Sequence, residues 1–69
     1  MNTAERLKFI IRNSGFKQKV IAERAGYSEK QLSALVTGRK KMYAEDVSKI
    51  CVALNITPNQ LYGYEEQLV

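Results

Sequence analysis

The residues best suited to chemistry in this chain are cationic. Lys17, Lys19, Arg24, Lys30, Arg39, Lys40 and Lys41 fall between positions 17 and 41, opposed there only by Glu23 and Glu29. Seven bases against two acids leave an excess of five positive charges. The rest of the chain sets Arg6, Lys8, Arg12 and Lys49 against five acids, so this one segment holds all of the net charge of +4. Such a patch attracts a polyanion. An ordinary solvated surface is the bland alternative, and charge by itself does not choose between them.

Other chemistries are poorly supplied. There is no histidine, no cluster of metal ligands, no glycine-rich phosphate loop and no nucleophile beside a base. An enzyme, a metal site and a cofactor are therefore not expected. Cys51 is the one cysteine, so it has no internal disulfide partner, which fits a reducing cytoplasm. No apolar run approaches the roughly 18 residues of a membrane span. The start, Met1 to Glu5, lacks the basic-then-apolar layout of a signal peptide. The expectation is a soluble cytoplasmic protein with no membrane partner. Its 69 residues make a single domain, 1–69, with 64–69 as a tail. A core of this size is marginal, since so short a chain buries only about 60% of its unfolded surface. No small-molecule ligand is expected.

The elements that must position the basic residues are helical throughout, with no alternating strand pattern. Leu7, Ile10 and Ile11 share a face of a helix predicted over Thr3 to Asn13. Asn2 or Thr3 caps it, and Ser14-Gly15 stops it. A second helix is predicted over Gln18 to Ala25, with Ile21, Ala22 and Ala25 inward, Lys17 as a poor cap and Gly26 as its end. Ser28 and Gln31 form a capping box for a third, over about 28–37, whose stripe is Leu32, Leu35 and Val36 and which Gly38 closes. The fourth spans Ala44 to Leu54 on Val47, Ile50, Cys51 and Leu54, which places Cys51 in the core. Thr57, Pro58 and Gln60 start a short fifth helix near Pro58 to Tyr62.

The stretch QKVIAERAGYSEKQLSALVT, Gln18 to Thr37, carries the most information. Two helices joined by the three-residue turn Gly26-Tyr27-Ser28 cross steeply, which leaves the later one protruding far enough to enter a major groove about 12 Å wide. Ala22 is small where the helices meet, Gly26 permits the turn, and Tyr27 packs the corner with its hydroxyl toward the surface. The stretch resembles the helix-turn-helix of the phage lambda repressor and Cro group, the XRE family. The matching residues are Gln18, Ile21, Ala22, Gly26, Ser28, Leu32, Leu35 and Gly38, and the likeness runs on through Leu54 to Leu61. It covers about Leu7 to Tyr62. The chain departs from the family pattern at Val36, where many members carry glutamate, at Met42-Tyr43, which replaces a frequent proline, and at Lys17, which replaces a short polar cap. The resemblance implies an all-α, compact five-helix lambda repressor-like fold.

On that fold the outward face of the third helix shows Glu29, Lys30, Ser33, Ala34 and Thr37. Lys30 can donate to guanine, Glu29 can accept from cytosine, Ser33 suits either kind of base, and Ala34 can touch a thymine methyl. Gln18, Lys19, Thr37, Arg39, Lys40 and Lys41 are the candidates for the phosphate backbone; Gln18 stands at a helix N-terminus, where family members commonly place a glutamine. Solvated charge is the plain alternative for each. Tyr62, Tyr64, Leu68 and Val69 are either satellite packing or a dimer contact. The leading expectation is a sequence-specific regulator, a repressor of phage or mobile-element type, that binds a duplex DNA operator as a homodimer. The alternative is a protein-interaction module such as an antitoxin-like component of a small operon; a basic face argues against it.

Overall fold

The computed structural model describes residues 1–64. Five helices follow in order: α1 (Thr3–Ser14), α2 (Gln18–Ala25), α3 (Glu29–Val36), α4 (Ala44–Leu54) and α5 (Pro58–Tyr62). No strand occurs among the described residues. α2 packs against both α3 and α4, α1 packs against α3 and α5, and α4 touches α5.

Most ends are written locally. The Asn2 side chain accepts from the Glu5 N–H at 2.9 Å while the Asn2 N–H donates to Glu5 Oε1 at 3.0 Å, so Asn2 is the cap of α1. Thr57 and Gln60 make the same reciprocal pair at the start of α5. α1 runs one residue beyond the expected Asn13. Ser14 completes the last turn, its hydroxyl donating to the Ile11 carbonyl at 2.7 Å and accepting from the Phe16 N–H at 3.1 Å. α3 is shorter than the expected 28–37, because Ser28 and Thr37 are its two caps.

The core joins Leu7, Ile10 and Ile11 of α1 to Ile21, Ala22 and Ala25 of α2, Leu32, Leu35 and Val36 of α3, Val47, Ile50, Cys51 and Ala53 of α4, and Leu61 of α5. Leu54 is a correction: it is only half-buried, and Ala53 takes a core place beside Cys51. α4 lies against both α2 and α5, which widens its buried stripe beyond one narrow line. Val36 is buried among apolar neighbours, where a carboxylate would need a charged or hydrogen-bonding partner. Arg6 ties the first helix to the last, donating through Nη2 to the Gln60 carbonyl at 2.8 Å. Tyr64 is exposed and its ring lies 5.7 Å from that of Tyr62; Leu68 and Val69 lie outside the described residues. No helix among the described residues is long and apolar enough to cross a membrane.

Candidate nucleic-acid interface

The site begins at Gly26. It ends α2 at φ +81°, in the left-handed region, and the next residue folds back so that the Tyr27 N–H donates to the Ala22 carbonyl at 2.8 Å. A residue with a Cβ adopts that conformation only at a cost. Ala22 is 1% exposed, so a larger side chain there would overpack the core around α2. Ser28 then caps α3: its hydroxyl accepts from the Gln31 N–H at 3.1 Å, and its N–H donates to Gln31 Oε1 at 2.8 Å. Three residues, Gly26 to Ser28, therefore redirect the chain from one helix to the next.

With Leu32, Leu35 and Val36 turned into the core, the opposite face of α3 is fixed. Glu29, Lys30 and Thr37 are exposed, and Ser33 and Ala34 are half-buried. Gln31 is exposed as well, but its amide is engaged in the cap. The Thr37 hydroxyl donates to the Ser33 carbonyl at 2.8 Å and accepts from Arg39 Nε at 3.1 Å. It thus folds the Arg39 side chain back over the end of α3. Lys40 is held by its N–H, which donates to the Ala34 carbonyl at 3.0 Å. Lys41 places its ammonium 5.8 Å from the Tyr43 ring. Gln18 is half-buried and Lys19 exposed at the start of α2, where no side chain forms a cap. Among the described residues the only ion pair is Lys49 with Glu45, at 3.3 Å on α4. Among the same described residues, the cations from Lys17 to Lys41 have no acid at ion-pair distance. Arg24 stacks on Phe16 instead, 4.3 Å from the ring centre.

One group near this surface escaped the sequence reading. Asp46, on α4, is 8% exposed, yet both of its carboxylate oxygens are engaged. Oδ1 accepts from the Tyr27 hydroxyl at 2.5 Å and Oδ2 accepts from the Tyr43 N–H at 2.9 Å. The Tyr27 bond and then the Tyr43 N–H hold the Asp46 carboxyl below the ordinary carboxylate range, with nearby Lys40 and Lys49 acting in the same direction and burial opposing them. Burial, and then the Asp46 bond and charge, push the Tyr27 phenol upward. Tyr27 is half-buried, and its hydroxyl, expected toward the surface, is bound there by Asp46. The spacing of Tyr43 and Asp46, a helix cap and its third residue, signals half of this arrangement. Nothing local signals the other half, since Tyr27 and Asp46 meet only in the fold.

A helix pair with this turn, with a protruding helix of one apolar and one polar face, defines a helix-turn-helix DNA-binding domain. The chain belongs to the family of Cro/C1-type HTH DNA-binding domains, whose model matches residues 6–67. Two solved structures are similar to it. One is the restriction-modification controller protein C.AhdI from Aeromonas hydrophila, with a TM-score of 0.81 at 22% identity over 87% of this chain and 91% of that one. The other is the clp gene regulator ClgR from C. glutamicum, with a TM-score of 0.82 at 25% identity over 86% of this chain and 77% of that one. No curated protein sequence is significantly similar to the chain.

Proposed function

We propose that this chain is a sequence-specific, double-stranded DNA-binding transcriptional regulator that acts as a homodimer, with α3 in the major groove. The observation that carries this reading is the pairing of an open α3 face with a cationic surface that lacks acidic partners among the described residues. Counterion release drives such a surface onto phosphates. Glu29, Lys30, Ser33 and Ala34 read base edges. Gln18, Lys19, Arg39, Lys40 and Lys41 hold the backbone, and Thr37 serves the backbone through Arg39, which it orients. The names of C.AhdI and ClgR, a controller and a gene regulator, favour regulation as the outcome.

The short reach of one helix supports dimerisation. The stretch from Glu29 to Ala34 rises about 7.5 Å along the helix, at about 1.5 Å per residue, which spans only two or so base pairs. Two copies reading half-sites about 34 Å apart supply the missing specificity, and a body of 29 × 22 × 18 Å fits one copy into each turn of DNA. A domain seated on DNA in this way blocks access by other proteins, so repression of phage or mobile-element type is the simplest output. The test is selection of bound duplexes from a random pool, followed by footprinting and transcription from a promoter carrying the selected site. A two-fold symmetric site, roughly four to six phosphates per protomer and a log–log salt slope of about −0.9 per phosphate are expected. A flat salt response refutes DNA binding, and unchanged transcription refutes repression.

A further inference from the structure

The start of the recognition helix is tied to the start of α4 through a single carboxylate, which also accepts from the backbone of Tyr43, the N-cap of α4, where the loop after α3 ends. Tyr27 immediately precedes the α3 cap and donates to Asp46 Oδ1 at 2.5 Å. The loop that follows α3 returns to the same side chain, where the Tyr43 N–H donates to Oδ2 at 2.9 Å. Between these two points run Arg39, Lys40 and Lys41, the cations assigned above to the phosphate backbone. Within the loop, Arg39 Nε donates to the Thr37 hydroxyl at 3.1 Å and the Gly38 N–H donates to the Leu35 carbonyl at 3.2 Å. The Lys40 N–H donates to the Ala34 carbonyl, and Met42 packs half-buried against the core. A cleft of about 410 Å³ opens beside the clasp, between the turn at Gly26-Tyr27 and the first turn of α4, with Gln31, Lys40 and Lys49 on its walls. The loop thus borders open space on this side, and the clasp spans it.

A carboxylate so close to a DNA-binding face repels phosphate unless its charge is taken up. Here it is taken up by two donors, with Lys40 and Lys49 nearby. We propose that Asp46, together with Tyr27, is a positioning pair for DNA binding: it fixes the basic loop Arg39–Lys41 relative to α3 and so determines which phosphates the loop reaches while α3 reads bases. This inference rests on the DNA-binding reading above.

The test compares the parent with Tyr27→Phe, Asp46→Ala and Asp46→Asn. Asp46→Asn keeps both links, since its amide oxygen can accept from the Tyr43 N–H while its amide N–H donates to the Tyr27 oxygen. In the free protein, Tyr27→Phe and Asp46→Ala are expected to shift the backbone amide resonances of Arg39, Lys40 and Lys41, and Asp46→Asn to leave them near parental. This readout needs no DNA. On the selected duplex the first two variants are expected to lose about tenfold in affinity, to flatten the log–log salt slope by about one and to lose phosphate protection on the loop side only. Asp46→Asn is expected to restore both. A merely structural role lowers the melting temperature and leaves the salt slope and the footprint unchanged, and that result overturns the proposal. Amide shifts confined to residues 27 and 46 overturn it as well. A parent that fails to bind DNA refutes the function instead, while the amide readout still decides whether the pair positions the loop.

Discussion

Gly26→Ala isolates the conformational requirement of the turn from every packing effect. Gly26 sits at φ +81°, and a Cβ built there meets no atom within 4 Å. The added methyl therefore costs only what the left-handed conformation costs, about 1–2 kcal/mol for an ordinary residue. Alanine also restricts the unfolded chain, which offsets about 0.4–1 kcal/mol. The net loss is about 1 kcal/mol. For 69 residues the unfolding entropy near the midpoint is about 0.14 kcal/mol/K, so the melting temperature should fall by about 7 °C. Gly38→Ala gives a comparison, because its φ is +78° and its Cβ would lie 3.7 Å from that of Ala4, an ordinary contact. It should cost the same within error. Gly26→Asn should recover most of the loss, as asparagine tolerates this region and Asn55 already occupies it at φ 55° at the end of α4. Thermal and urea unfolding of the four proteins measure this. A Gly26→Ala protein as stable as the parent refutes the left-handed turn, and a loss far above 2 kcal/mol refutes the open space around it.

Three further outcomes follow from the same structure. Lys30→Ala removes an exposed side chain with no ion pair among the described residues; it should leave the melting temperature unchanged, cost about 1–3 kcal/mol at the selected site and relax preference at one base position, whereas Lys40→Ala should weaken all sequences alike in binding titrations. Ala22→Leu overpacks the joint of the two helices by about 1–3 kcal/mol, so stability and DNA binding should fall together, and a variant that melts and binds like the parent removes the helix crossing from the argument. The Asp46 carboxyl is held low, so its contribution is complete above about pH 4, the ordinary carboxylate value, and is lost as pH falls through the lowered folded value. The Tyr27 phenol is held high, so the parent should also lose stability relative to Tyr27→Phe as pH rises above about 10, the ordinary tyrosine value. Urea midpoints of parent and Tyr27→Phe against pH test both ends, and a gap constant from pH 2 to 11 contradicts them.

What was legible in the sequence was written within one helical turn. Ser28 with Gln31 and Thr57 with Gln60 announce helix starts because donor and acceptor stand three residues apart. Gly26 and Gly63 announce ends because few other residues take a left-handed backbone. Lys17 reads as a poor cap and has no capping hydrogen bond in the fold. What was missed depends on partners brought together by the chain's return. Tyr27 and Asp46 are 19 positions apart, and Arg6 and Gln60 are 54 apart. The ideal helical stripe of α4 includes Leu54, whereas α4 faces two neighbours and buries Ala53 while Leu54 stays half-buried at the edge of the core.

The same distinction separates the parts of the interface. The α3 face is fixed locally: once Leu32, Leu35 and Val36 turn inward, helical geometry leaves Glu29, Lys30 and Thr37 outside. Its caps then settle which of the polar side chains stay available. The Gln31 amide oxygen accepts in the Ser28 cap while its NH2 stays open, and the Thr37 hydroxyl is engaged by the Ser33 carbonyl and Arg39; on the proposed function, Glu29, Lys30, Ser33 and Ala34 are the α3 side chains that meet bases. The loop of Arg39, Lys40 and Lys41 has no helical period to place it. Its position depends on Met42 in the core, on the Ala34 carbonyl and on Asp46. On the proposed function, the reading residues of α3 can therefore change without moving the scaffold, while a change at Tyr27 or Asp46 is expected to move the loop and with it the seating of the protein on the duplex.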